Sequence, residues 1–481
     1  MLFNSFHFLI FFPIVIILYF ALPHRFRWVI LLTASLYFYA CWKLEYLALI
    51  LLSITVDYFN GYMMGRTKEK KKKKKYLVLS LVINLGILFS FKYFNFFNDS
   101  LRELFNKFNL FYGIPEFKIL LPVGISFYTF QSLSYVIDVY RGITEPAKHY
   151  GIYALYVTYF PQLVAGPIER SNHLLPQFYK SFDFDYKRFT DGLKLMAWGF
   201  FKKMVVADRL YLFVDPIFNN PSEYSGLSLL IAAYFFSFQI YCDFSGYSDI
   251  AVGAARMMGY DIMYNFNRPY FSRSIAEFWR RWHISLSTWF KDYVYFSLGG
   301  NRVNKYRHLF NLFITFVISG LWHGANWTYI IWGALHGLFL VIGSLCKGIK
   351  EKTVKFFRLD RLPVLHKYIQ VFITFNLVTF ALVVFRAKSM SDVFVIFKNM
   401  FSNWTLSSIK IPPSCEKFDF GFSFFVILIM EIIHKLQKND EIPEFISKKP
   451  LLYRWVFYYL ILTMVFIFGK YSSNQFIYFQ F

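Results

Sequence analysis

Long apolar stretches alternate with short polar or basic connections along almost the whole chain. Many of the stretches reach the roughly 17–25 residues that a helix needs to cross a bilayer. The pattern therefore predicts an all-α polytopic membrane protein with about eleven transmembrane helices. The predicted spans are Phe6–Leu22, Trp28–Trp42, Tyr46–Met64, Tyr76–Phe97, Leu121–Tyr140, Leu227–Cys242, Leu309–Thr328, Tyr329–Leu345, Ile369–Phe385, Phe422–Ile433 and Trp455–Phe468, with a shorter candidate at Val393–Phe401.

Two segments interrupt the predicted helices. Pro161–Pro167 holds two prolines and a glycine and cannot continue a regular helix. Broken backbone at membrane depth is tolerated only where protein or a water-filled cavity covers it. In the second segment, Asp243 and Asp249 flank Gly246, which predicts a break after Leu227–Cys242. The two carboxylates fit either acid–base or metal chemistry, or a hydrated turn that caps helices.

The composition agrees with a membrane protein. Hydrophobic residues make up 57% of the 481 positions, and the mean hydropathy is +0.39, which excludes an ordinary soluble enzyme. No polar linker separates independent cores. We therefore expect a single transmembrane domain over residues 1–481, with N-terminal helices at 1–118, a catalytic core region at 119–345 and C-terminal helices at 346–481.

The net charge of +23 is explained by topology rather than by nucleic-acid binding. Basic residues gather between the apolar stretches, most clearly in Arg66–Lys75, as the positive-inside rule requires. This rule predicts a cytoplasmic Arg66–Lys75 loop and an N-terminus outside. The four cysteines have no paired spacing, which argues against a disulfide framework or a thiolate metal site.

Candidate chemistry concentrates between Asn265 and Gly337, which holds four of the ten histidines, and three of these are the candidates: His283, His323 and His336. His323 follows an almost uncharged run. A polar, titratable ring in an apolar helix costs several kcal/mol or so unless it is compensated, so a functional role is the default interpretation in a membrane segment. An apolar setting favours the neutral imidazole, which is the form a general base needs. The alternative is a core histidine bonded to a carbonyl.

Local sequence patterns predict the helices on which these histidines lie. Ser274 to Glu277 fits a capping box, which predicts a helix with Phe278, Trp282, Leu286 and Trp289 along one side. Spacings of four place Ser319, His323 and Trp327 on one helix face, and Asn326 could orient the ring of His323. An unbroken helix would separate His323 from His336 by roughly 20 Å, although Gly333 could allow a bend. No H-x-x-x-H spacing and no coordinating cysteine supports a zinc site. The sequence also contains neither a G-x-S-x-G nucleophile elbow nor a P-loop.

The chain resembles the membrane-bound O-acyltransferases, and within them the bacterial branch that contains the alginate O-acetylation membrane protein and the D-alanyl transferase of teichoic acids. The resemblance covers nearly the whole chain as an ordered set of motifs. These are LPVGISFYTFQSLSYVIDVYRG (Leu121–Gly142), FPQLVAGPIER (Phe160–Arg170), CDFSGYSDIAVGAARMMGY (Cys242–Tyr260), the Asn265–Gly337 region, VFRA (Val384–Ala387) and FIYFQF (Phe476–Phe481).

The resemblance implies helices around a funnel or tunnel, with His323 as the catalytic histidine, His283 as a second recurring polar residue and His336 as a third. We expect supporting or substrate-positioning roles for Asn326, Trp322, Trp327 and Asp243. The family passes an acyl group from a cytoplasmic thioester to an acceptor. Here we expect acetyl-CoA as the donor substrate, no bound cofactor or metal, and a hydroxyl of an extracytoplasmic envelope polysaccharide as the acceptor.

The same resemblance implies a multi-pass protein of the bacterial cytoplasmic (inner) membrane that works with an extracytoplasmic acetyltransferase-type partner protein. Two alternatives remain open at this point. One is a polytopic transporter or flippase, which would move its substrate without covalent change. The other is a non-catalytic membrane subunit of an envelope-modifying complex, for which His323→Ala would leave activity intact.

Overall fold

The computed structural model describes residues 1–117, 121–438, 440–471 and 476–477. The described part of the chain contains helices and no strand. It forms two compact units. The first unit contains Met1–Met196 and Tyr247–Met263, and the second contains Ala197–Gly246 and the described residues from Tyr264 onward. Lys118, which lies between the predicted spans Tyr76–Phe97 and Leu121–Tyr140, and residues 478–481 of the FIYFQF motif lie outside the described residues.

The first unit is built from the N-terminal helices. They are α1 (Phe6–Ala21), α2 (His24–Ala40), α3 (Tyr46–Arg66), α4 (Lys70–Leu88), α5 (Phe94–Lys107), α6 (Ile125–Arg141), α7 (Tyr150–Thr158), α8 (Phe160–Leu163), α9 (Ser171–Leu174) and most of α10 (Tyr186–Phe200). A π-helical segment, Phe89–Tyr93, joins α4 to α5, and a 3₁₀ turn, Leu175–Tyr179, follows α9.

The second unit holds most of the remaining helices. They are α11 (Asp208–Asn219), the first part of α12 (Leu227–Met258), α13 (Ile275–Arg281), α14 (Ile284–Phe290), α15 (Lys305–His323), α16 (Trp327–Leu345), α17 (Lys347–Phe356), α18 (Pro363–Arg386), α19 (Met390–Met400), α20 (Lys417–Gln437), α21 (Ile442–Ser447) and α22 (Leu451–Phe468). Phe201–Ala207 and Lys291–Tyr295 are π-helical, and short 3₁₀ turns lie at Pro221–Glu223, Pro269–Phe271, Leu359–Arg361 and Leu406–Ser408.

Within the part of the chain that the structure describes, six helical segments are long and apolar enough to cross a membrane. They are Tyr46–Arg66, Lys70–Lys107, Leu227–Met258, Trp327–Leu345, Pro363–Arg386 and Leu451–Phe468. The prediction of an all-helical, polytopic membrane protein is thus confirmed, whereas the count of eleven spans is not. Phe6–Ala21 is apolar but only 16 residues long. The division of one domain into three regions stays a prediction, as does the central funnel or tunnel.

Two predicted connections are partly helical. The segment Arg66–Lys75 is predicted as a loop, but α4 begins at Lys70 and includes Lys70–Lys75. The connection between the predicted spans that end at Phe97 and begin at Leu121 is also shorter, because α5 continues to Lys107. Lysine is a good helix former, so a basic run continues a neighbouring helix at little cost.

The break at Pro161–Pro167 is confirmed. Helix α7 ends at Thr158, α8 covers only Phe160–Leu163, and the chain then leaves the helical conformation. The predicted break at Asp243–Asp249 is wrong, because α12 runs without interruption from Leu227 to Met258. Gly246 instead allows close packing. A Cβ atom there would lie 2.7 Å from the carbonyl oxygen of Gly199.

Candidate active site

Helices α15 and α16 form an antiparallel hairpin that positions two of the three histidines. Helix α15 ends at His323, Gly324 is extended, and Asn326 caps α16 by accepting a hydrogen bond from the Thr328 amide at 3.0 Å. The side chain of Asn326 also donates to the Lys388 carbonyl at 2.9 Å. The prediction that Ser319, His323 and Trp327 share one helix face is therefore wrong, because the helix ends before Trp327.

Two glycines bring the arms of this hairpin together. A Cβ atom on Gly320 would lie 3.1 Å from the Cα of Gly333, and it would also collide with the Tyr329 carbonyl. Small residues at such crossings let helix backbones approach closely within membranes. The close approach fixes where His323, at the end of α15, lies relative to the side chains of α16.

His323 is enclosed by aromatic rings. Its side chain is 3% exposed. The ring centroids of Trp322 and Trp332 both lie 5.0 Å from its own centroid, and that of Phe385 lies 5.4 Å away. All three rings meet the imidazole edge-on, as aromatic pairs prefer. The structure thus holds the predicted catalytic residue in a buried setting with several aromatic contacts.

His336 lies close to His323, contrary to the separation expected for an unbroken helix. Its centroid is 5.0 Å from that of Trp332, which is itself 5.0 Å from His323. The two imidazole centroids are therefore separated by at most 10.0 Å, twice 5.0 Å. The separation of roughly 20 Å applied only to an unbroken helix, and the chain instead reverses direction between α15, which ends at His323, and α16, which begins at Trp327. The indole N–H of Trp279 donates to Nδ1 of His336 at 3.2 Å.

His283 lies at a sharp change of direction. The predicted cap at Ser274 is confirmed, since its hydroxyl accepts from the Glu277 amide at 3.2 Å. The helix ends at Arg281, however, and a second helix begins at Ile284. His283 between them adopts a left-handed backbone conformation with φ of 41°. The prediction of one helix that carries Phe278 to Trp289 in a single stripe is therefore wrong. Strained backbone of this kind in a non-glycine residue often marks functional positions.

Asn265 orients the imidazole of His283. The Oδ1 atom of Asn265 lies 3.3 Å from Nδ1 of His283 and accepts from the Ser285 hydroxyl at 2.6 Å. The ring of Phe244 covers another side of the imidazole at 4.6 Å, and His283 is fully buried. The local fold therefore fixes both the position and the ring plane of His283.

The three histidines and two tryptophans form a continuous series of ring contacts. Trp322 links His283 and His323 at centroid distances of 6.1 and 5.0 Å, and Trp332 links His323 and His336. We call His283, Trp322, His323, Trp332 and His336 the histidine–tryptophan array. Sequence patterns singled out the histidines and Trp322 but missed Trp332. Trp332 lies four residues, about one helical turn, before His336, and this spacing is the sequence feature that indicates a shared helix face.

The other candidate residues lie outside the array. Trp327, at the start of α16, is 52% exposed. Asp243 is buried within α12, where one carboxylate oxygen is 2.6 Å from the ammonium of Lys203 and the other accepts from the Ile477 amide at 2.7 Å. The hydrated turn considered for Asp243 is therefore ruled out. A buried ion pair of this kind fixes the positions of α12 and the chain near Ile477.

The first unit contains a separate polar cluster that sequence reasoning did not find. Glu169, which is buried, accepts from the Met263 amide at 2.5 Å and lies 2.9 Å from Nδ1 of His173. Nε2 of His173 lies 3.5 Å from a carboxylate oxygen of Asp261. Hydrogen bonds to Asp261 and Glu169 raise the pKa of His173 to about 10, so its imidazole is positively charged at neutral pH. The cluster fastens the loop after α12.

No group of three or more histidine, cysteine, aspartate or glutamate side chains is arranged to hold a metal ion within the part of the chain that the structure describes.

Comparison with known proteins decides the family. The family model of the membrane-bound O-acyltransferases (MBOAT) matches residues 148–386, which include the whole histidine–tryptophan array. The probable alginate O-acetylase AlgI of Azotobacter vinelandii is 41% identical over 418 residues, covering 85% of this chain and 80% of the relative. The chain belongs to the membrane-bound O-acyltransferase family.

Two further relatives define its place in that family. The peptidoglycan O-acetyltransferase of Helicobacter pylori is 36% identical over 399 residues, covering 78% of this chain and 73% of the relative. The teichoic acid D-alanyltransferase of Streptococcus thermophilus is 31% identical over 290 residues, covering 55% of this chain and 68% of the relative. The expected family and branch are thus confirmed. This membrane-bound O-acyltransferase is an enzyme and a multi-pass bacterial membrane protein.

Proposed function

We propose that this acyltransferase moves an acetyl group from cytoplasmic acetyl-CoA to a hydroxyl of an envelope polysaccharide outside the cytoplasmic membrane, with His323 as the general base. The observation that carries the proposal is the enclosure of His323 by Trp322, Trp332 and Phe385 at the end of α15. The acceptor class is supported by the names of the relatives, which include alginate and peptidoglycan O-acetylating proteins.

The proposed reaction is a direct transfer. A nitrogen of the His323 imidazole takes the proton of the acceptor hydroxyl as the hydroxyl oxygen attacks the thioester carbonyl carbon. The new C–O bond forms, the C–S bond breaks, and the imidazolium returns its proton to the departing thiolate. A neutral imidazole is the form that can accept the proton.

The remaining residues of the site act through position. His283, held by Asn265, contacts Trp322, which also contacts His323, and would orient a reactant beside His323. Asn326 would act indirectly, since it caps the helix that carries His336. We assign Asp243 a structural role through Lys203, and we assign Trp327 no contact with the reacting atoms.

Two features of the proposal come from the family resemblance. The donor thioester is expected to enter from the cytoplasm, so that only its acyl end must reach His323. The acceptor polymer is expected to be presented outside the membrane by an extracytoplasmic acetyltransferase-type partner protein. Neither feature requires a metal or a bound cofactor of this chain.

Mass spectrometry of purified envelope polymers tests the function. We compare the wild type, a deletion strain, and deletion strains that express His323→Ala or the control His434→Ala. His434 is also buried in the second unit but lies beside Trp198 and Tyr241, outside the array. We expect O-acetyl esters to disappear in the deletion and His323→Ala strains and to return with His434→Ala.

Two other outcomes contradict the proposal. Equal ester content in all strains would remove the polysaccharide acceptor assigned here. Esters restored in full by His323→Ala would indicate a subunit that supports acetylation without carrying it out.

A further inference from the structure

The hydrogen bond between Trp279 and His336 fixes the protonation of the His336 ring. The indole nitrogen of tryptophan can only donate. Since it donates to Nδ1 of His336 at 3.2 Å, that nitrogen carries a lone pair, and the single ring proton lies on Nε2. In this state His336 is neutral, and its free nitrogen offers a hydrogen-bond donor rather than a base.

That donor is buried among rings. His336 is 1% exposed, and its Nε2 has no hydrogen-bond partner among the described residues. Four aromatic rings contact the imidazole, those of Trp279, Trp332, Phe278 and Phe339, and none of them supplies an oxygen acceptor. A buried N–H without an acceptor costs about 1–3 kcal/mol. Such a group in a native site calls for an explanation, and a ligand that accepts the hydrogen bond supplies one.

We propose that Nε2–H of His336 donates a hydrogen bond to an uncharged oxygen of the bound substrate, and that Trp279 is the positioning residue that keeps the proton on that nitrogen. The inference rests on the proposed function and gives two histidines different roles. His323 removes the proton from the acceptor hydroxyl, while His336 holds a substrate oxygen.

The position of His336 suits this role. Its centroid is within 10.0 Å, twice 5.0 Å, of the His323 centroid, with Trp332 in contact with both rings. An extended substrate that passes His323 therefore also comes near His336. Two substrate oxygens have the required chemistry, namely the carbonyl of the acyl donor and a hydroxyl or ring oxygen of the saccharide acceptor. Kinetics can distinguish them.

The test uses side chains that imitate one imidazole nitrogen at a time. The amide nitrogen of glutamine reaches about as far as Nε2 of histidine, whereas that of asparagine reaches about as far as Nδ1. Permeabilised membranes of the native host, with the full chain in place, are supplied with acetyl-CoA and purified envelope polymer, each varied in turn. For His336→Asn we expect KM to rise about five- to tenfold for one of the two substrates, which is the loss of affinity expected when one hydrogen bond is removed. For His336→Gln we expect much of that loss to be recovered.

Trp279→Phe tests the positioning role. This change keeps an aromatic ring but removes the N–H that holds the tautomer, so we expect the same KM to rise as for His336→Asn. Trp198→Phe is the matched control, because Trp198 is another buried tryptophan that packs against a histidine, His434, away from the array. It should leave both KM values unchanged.

A higher KM for acetyl-CoA identifies the donor carbonyl, and a higher KM for polymer identifies the saccharide. Unchanged KM values for both substrates in His336→Asn would overturn the inference, as would equal losses in His336→Gln and His336→Leu. If wild-type membranes transfer no acetyl group to any envelope polymer, the proposed function fails instead, and the two failures are therefore distinguishable.

Discussion

Replacing Gly320 by alanine forces a Cβ atom into the closest approach between α15 and α16. That atom would lie 3.1 Å from the Cα of Gly333, whereas ordinary contacts of this kind are 3.4–4 Å. The neighbour is backbone, so it cannot rotate away as a side chain could. The Tyr329 carbonyl oxygen lies closer still, so the two helices must separate locally by about 1 Å, which costs about 1–3 kcal/mol of stability.

The same separation moves His323 away from Trp332 and His336. A misplacement of about 1 Å can reduce the rate of an enzyme by about a hundredfold. We therefore expect Gly320→Ala to lower acetyl transfer by about ten- to a hundredfold. Gly343→Ala is the matched control on α16, because no atom lies within 4 Å of the added Cβ. It should leave activity unchanged, and alanine should favour the helix by up to about 1 kcal/mol.

The assay measures the initial rate of ester formation from labelled acetyl-CoA in membranes, corrected for the amount of each variant. Size-exclusion chromatography in detergent shows whether Gly320→Ala remains folded. A folded Gly320→Ala protein with the same rate as Gly343→Ala would refute the argument that this crossing positions His323.

Three further results are expected. Asp243→Asn should destabilise the detergent-purified protein by roughly 1–3 kcal/mol, measured by thermal unfolding, because Lys203 loses a charged partner at 2.6 Å; an unchanged midpoint would contradict this. Asn265→Ala should lower the transfer rate about tenfold with little loss of folded protein, since His283 loses the group that orients it; a wild-type rate would contradict this. The imidazole of His173 has a pKa raised from 6.5 to about 10 by its carboxylate partners, so it stabilises the fold fully below pH 6.5 and less as the pH rises through 10. The difference in unfolding midpoint between the wild type and His173→Gln should therefore shrink between pH 6.5 and pH 10, and a constant difference would contradict this.

The helical membrane architecture could be predicted because its signal is local. Apolar runs such as Trp327–Leu345 and Pro363–Arg386 are long enough to span a bilayer by themselves, and both are helices here. The end of α15 was also readable in principle. Gly324 follows the last helical residue and Asn326 is a favourable cap for the next helix, but the apolar pattern across them placed the predicted boundary later, between Thr328 and Tyr329.

Other features depend on contacts that are distant in sequence. Gly246 and its flanking aspartates suggested a break, yet α12 continues because Asp243 is paired with Lys203 and Gly246 packs on the backbone near Gly199. The left-handed conformation of His283 has no local signature. Neither has the bond from Trp279 to His336, which joins residues 57 positions apart.

The most direct test of the account is the rate of acetyl transfer by His323→Gln, measured beside His434→Gln in the same membranes at saturating acetyl-CoA. Glutamine retains hydrogen bonding and much of the volume of histidine but cannot act as a base at neutral pH. We predict that His323→Gln lowers the maximal rate by about 10²–10⁴-fold, the usual contribution of a general base, while His434→Gln stays near the wild type. A His323→Gln enzyme that transfers acetyl groups at the wild-type rate would contradict the assignment of His323 as the catalytic base.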